Sequence, residues 1–145
     1  MLWQRLGYAG LLPFVFALAA QGLGWPASPS ELSPARVFIA YSAIILSFLG
    51  GTLWGREIDR FPHSARALAL WASNGFALLG FAALLCAELQ LATVLLGLGF
   101  AALFYTELRY LGLRSEAGSY QRLRRNLTGV VCLLHAVLLV MLTRG

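Results

Sequence analysis

Few side chains in this sequence could do chemistry, and their spacing limits what that chemistry could be. His135 falls about ten residues into an uncharged run that starts after Arg125, roughly 15 Å along a helix. An ionisable group at that depth suggests a proton relay. A relay needs a partner at the same level, and no carboxylate sits there. The alternative is a neutral imidazole hydrogen-bonded to Ser47, Thr93 or a backbone carbonyl. Glu107 ends another uncharged run, close to Arg109 and within reach of Arg124 if their helices pack together. Helix C-termini disfavour acids, so Glu107 calls for a cationic neighbour. Asn74 is either an interhelical donor or a ligand contact. Cys86 and Cys132 have no metal-ligand spacing, and their expected depths differ too much for a disulfide. GxSxG, HExxH, CxxC and Walker patterns are all missing. The sequence implies no catalytic residue, no metal and no cofactor, so a non-enzyme is expected.

The elements that must hold these residues are helices in a bilayer. Of 145 residues, 59% are hydrophobic and 12% charged, and mean hydropathy is +0.75. A soluble domain of this size could not cover so much apolar surface. Charges leave five windows long enough to span, approximately 6–25, 36–55, 67–87, 89–107 and 126–143. The shortest would be roughly 27 Å of helix against about 30 Å of hydrocarbon. The expected fold is therefore all-α, a single integral membrane bundle of five transmembrane helices. Arg5 ahead of the first window and Ala17-Leu18-Ala19 within it resemble a cleavable leader, but the window is expected to stay as a span. Pro13 should kink it. Ser33 and Pro34 offer an N-cap and a first-turn proline, and Ser64 a further cap. Residues 109–125 suggest a short interfacial helix broken near Gly118.

All eleven basic residues are arginine. With five spans, nine share a side with the N-terminus, and only Arg36 and Arg144 face the other way. This bias places the N-terminus in the cytoplasm and the C-terminus outside, in a bacterial cytoplasmic (inner) membrane. The arginines alternate with apolar runs and form no single basic surface, so the pI near 9.9 points to the lipid bilayer rather than nucleic acid.

Within the second window, Ala43, Ser47, Gly51 and Gly55 recur at every fourth position. They are expected to form the seam where a neighbouring helix approaches, with Ile44, Leu46, Phe48 and Leu53 turned away from it. Thr93, Gly97 and Ala101 make a similar series that could face that groove.

Three stretches carry a family resemblance: Tyr8-x-Gly10-Leu11-Leu12-Pro13-Phe14, Ser47-Phe48-Leu49-Gly50-Gly51-Thr52-Leu53-Trp54-Gly55, and Tyr120-x-x-Leu123-Arg124-x-x-Leu127-Thr128. In this order they resemble the transmembrane protein 69-like family, small multi-spanning proteins of bacterial and mitochondrial membranes catalogued as a domain of unknown function. Ser119 departs from it, where the family commonly has an aromatic residue, and Glu107 stands where aspartate is frequent. The resemblance implies no activity. By helical rise its residues gather in one leaflet, the cytoplasmic half. Trp54, Asn74, Tyr105, Glu107, Tyr120, Arg124 and Thr128 are thus the candidate pocket or docking surface, unless they are a packed junction with an aromatic belt. Two functions fit: an accessory, assembly or scaffold protein working through helix packing with another membrane protein or in a homo-oligomer, or a small-molecule or lipid binder or transporter with a cavity open to the cytoplasmic leaflet.

Overall fold

The computed structural model describes residues 2–25, 33–58, 66–110 and 118–144. The described residues form six helices: α1 (Leu2–Ala9), α2 (Leu12–Gly22), α3 (Pro34–Ile58), α4 (Arg66–Leu85), α5 (Leu89–Tyr110) and α6 (Gly118–Arg144). No strand occurs among the described residues. Four helices, α3 to α6, are long and apolar enough to cross a membrane. Residues 26–32, 59–65 and 111–117 lie outside the description. With them go the turn-rich stretch before α3, Arg60, His63, the Ser64 cap, Arg114 and part of the expected interfacial helix.

The first window is two helices rather than one. Pro13 has no N–H to return to the preceding turn, so the helix cannot run through it unbroken. The chain tightens at Leu11, whose N–H bonds to Tyr8 O at 3.0 Å, and restarts with Pro13 in the first turn of α2. The Tyr41 hydroxyl reaches across from α3 and donates to Gly10 O at 3.0 Å, satisfying a carbonyl at the break. α2 ends on Gly24 at φ +64, a left-handed position that a residue with Cβ rarely adopts. The N-terminus of α3 is held by the expected Ser33, whose Oγ accepts the Arg36 N–H, and also by Gln21 Oε1, which accepts the Ala35 N–H. α4 and α5 join through Cys86, Ala87 and Glu88 alone, which forces them to lie side by side and antiparallel. α6 is continuous from Gly118, so no helix break occurs between Gly118 and Arg125.

α3 is rotated from its expected setting. Its buried positions include Ile39, Ser42, Leu46, Gly50, Leu53 and Glu57, spaced by threes and fours. A strict fourfold series gains about 40° per step on a helix of 3.6 residues per turn, so four members wind some 120° around it. Ala43 therefore begins in the core, Ser47 sits at its edge, and Gly51 and Gly55 have left it. Both glycines are exposed, and a Cβ on either would meet nothing within 4 Å. The close approach is made by Gly50 and Gly80 instead. A Cβ on Gly50 would lie 3.2 Å from Ser73 O, and one on Gly80 would lie 2.8 Å from Ser47 Oγ and 3.0 Å from Ala43 O. The buried residues of α4 are Ala69, Ser73, Gly80 and Ala83, all small, so α3 and α4 meet almost backbone to backbone. The α5 series turns away from α3: Gly97 packs on His135 of α6, with a Cβ position 3.3 Å from the imidazole Cβ.

α2, α3, α5 and α6 enclose the core. Phe14 meets Phe38 and Tyr41 edge-on at centroid distances of 5.0 and 4.9 Å, and Leu46, Leu96, Leu103 and Leu138 are fully buried around them.

Candidate functional site

α1, the C-terminal half of α3, the end of α5 and the start of α6 lie at one end of the bundle, and the α1–α2 break lies nearer its middle, where Tyr41 of α3 reaches it. Most of the arginines lie there too. Glu107, in the last turns of α5, and Arg124, in the second turn of α6, face each other and are both buried. Arg124 donates from Nε to Glu107 Oε2 at 3.1 Å and from Nη2 to the same oxygen. The partner that the acid called for is therefore Arg124, while Arg109 is exposed. Two charges this far from water stay only because each neutralises the other.

Thr128 is one turn beyond Arg124 on the same face of α6. Together they line a cavity of about 180 Å³ whose other walls are apolar and come from α1, α2, α3 and α5. Gly7 lets α1 lie against α6, since a Cβ there would be 3.2 Å from Leu127 Cδ1. All three family-like stretches meet at this cavity: Gly10, Leu11 and Phe14 from the first, Phe48 and Leu49 from the second, Arg124, Leu127 and Thr128 from the third.

The remaining candidates do not join it. Trp54 and Tyr105 are 53% and 56% exposed on the outer surface. Asn74 is exposed as well, its amide donating to Leu70 O on its own helix. A pocket built from Trp54, Asn74 and Tyr105 is thus not formed. Tyr120 is half-buried in the first turn of α6.

His135 lies away from this end, in the core. Its Nδ1 is 2.8 Å from Val131 O, and a carbonyl can only accept, so Nδ1 carries the proton. The backbone carbonyl is thus its partner; Thr93 bonds to Leu89 O of its own helix. Nε2 is buried with no hydrogen bond. The rings of Phe38, Phe100 and Phe14 surround the imidazole at 4.9, 5.5 and 6.0 Å. Cys86 and Cys132 are both free thiols.

Residues 2–140 match the family model described as "Protein of unknown function (DUF3429)". The chain belongs to this family. It is also similar to Transmembrane protein 69 of Xenopus tropicalis, 40% identical over 103 residues, which cover 66% of this chain and 38% of the relative. The chain thus spans well under half the length of that curated relative. No solved structure matches. This DUF3429 chain is a multi-pass membrane protein, and its family carries no assigned activity.

Three positioning residues escaped the sequence reading. Tyr41 ties α3 to the α1–α2 break, Gln21 caps α3, and Gln90 Nε2 donates to Leu142 O at 3.0 Å, joining the start of α5 to the end of α6. Each is a polar side chain in or beside an apolar run, which is the signal that could have found them.

Proposed function

We propose that this DUF3429 protein is a non-catalytic accessory or scaffold protein of a bacterial inner membrane. Its N-terminus and arginine-rich end are cytoplasmic, its C-terminus is outside, and α1 with α2 forms a broken fifth span. The observation that carries the reading is the outward turn of Gly51 and Gly55. They form a small-xxx-small pair with open space above it, on a helix face that also presents Ile44, Phe48 and Trp54. In lipid, helices associate through close backbone packing rather than hydrophobic exclusion, and such a pair is where a second helix can come near. The partner is another membrane protein or a second copy of this chain.

The test is gentle solubilisation of native membranes followed by identification of what the tagged chain retains. Wild type should hold a protein partner, or a second copy, in near-stoichiometric amount, and Gly51→Leu should lose it without unfolding. Equal retention by wild type and variant would refute the stripe's role.

A second reading, a lipid or small-molecule binder, is favoured by the cavity beside Arg124 and Thr128.

A further inference from the structure

The cavity contains polar groups that the fold leaves unspent. Five threonines occur in the chain. Thr52, Thr93, Thr106 and Thr143 each turn the hydroxyl back to a carbonyl three or four residues earlier, at 2.7 to 3.0 Å. Thr128 makes no such bond among the described residues, and it lines the cavity. Arg124 uses Nε and Nη2 on Glu107, and its Nη1 makes no hydrogen bond to any described residue. Two donors one helical turn apart thus border an apolar hollow.

The hollow itself suits hydrocarbon. Apolar cavities of about 150 Å³ stay dry and take up small hydrocarbons, and this one is of similar size at about 180 Å³. Its rim includes Leu6 and Phe48, both largely exposed, so it opens sideways where lipid would lie. At its polar end, Arg5 adjoins Leu6, and Arg122 and Arg125 flank Arg124; all three are exposed. Exposed cation at this end of the bundle favours an anionic headgroup over a neutral one.

We infer that the cavity takes the first carbons of one acyl chain of an anionic glycerophospholipid, with an ester carbonyl at Thr128 and Arg124 and the phosphate near the exposed arginines at that end of the bundle. The inference rests on the second reading above and adds the ligand class to it.

Native mass spectrometry of the full chain in detergent tests it, using phosphatidylglycerol and phosphatidylcholine with identical acyl chains. Wild type should bind phosphatidylglycerol several-fold more tightly. Thr128→Val keeps the side chain's shape and should weaken that binding about three- to tenfold, the worth of one hydrogen bond, at unchanged melting temperature. Leu49→Trp should fill the hollow and abolish binding. Equal binding of both lipids, lost in Leu49→Trp, would overturn the anionic headgroup and leave a lipid binder standing. Full phosphatidylglycerol binding by folded Leu49→Trp would overturn the binder reading at this cavity altogether. Unchanged binding by Thr128→Val would overturn the ester contact, and that variant decides the matter should Leu49→Trp fail to fold.

Discussion

Glu107 and Arg124 join α5 to α6 by a buried pair of opposite charges, so neither partner can be lost alone without penalty. Removing one partner strands a buried charge, which costs about 3–5 kcal/mol, whereas replacing both with apolar residues of similar size is often neutral. Glu107→Gln should therefore destabilise the protein strongly, and adding Arg124→Met should recover most of the loss. Reversible unfolding of the two single variants and the double variant in one detergent measures this. A double variant less stable than either single would mean that the pair is worth more than its desolvation cost. The pair was legible in the sequence because an acid at a helix end needs a cation, and Arg124 was within reach. The cavity beside it was not, because its walls come from five helices and only Arg124 and Thr128 among the candidates line it. Trp54, Asn74 and Tyr105 are expected at a similar depth by helical rise, but depth says nothing of the direction in which a side chain points.

At the scale of the helix, the governing fact is the difference between a repeat of four and a turn of 3.6. The small residues of α3 were visible in the sequence, and so was their importance for close packing. Their phase was lost, because only Ala43 and Ser47 of that series reach α4, and Gly50 takes the place expected of Gly51. Gly80→Ala should cost about 1–3 kcal/mol, since its Cβ would press on a backbone carbonyl that cannot yield. Gly51→Leu points into open space and should leave stability within about 0.5 kcal/mol of wild type. Thermal unfolding of both variants in the same detergent separates them, and a Gly51→Leu protein that melts well below Gly80→Ala would restore the stripe to the core. Pro13 marks an interruption in the sequence, but a kink and a full restart look alike there. What separates them is the Tyr41 hydroxyl arriving from α3, a contact between residues 31 apart.

For the whole molecule, the helical membrane architecture was plain from hydropathy, while the threading rests on α1 and α2. Each is too short to cross alone, at roughly 12 and 17 Å against about 30 Å of hydrocarbon. The functional account needs them to cross together, with the arginine-rich end, the ion pair and the cavity in the cytoplasmic leaflet. If they cross, the two termini lie on opposite sides of the membrane; if they rest in the interface, α3 to α6 alone span and the termini share a side. A reporter active only in the cytoplasm, fused before Met1 in one protein and after Gly145 in another, decides between these. The account predicts a bright N-terminal fusion and a silent C-terminal one. Equal signal from both would contradict it, reducing the bundle to four spans.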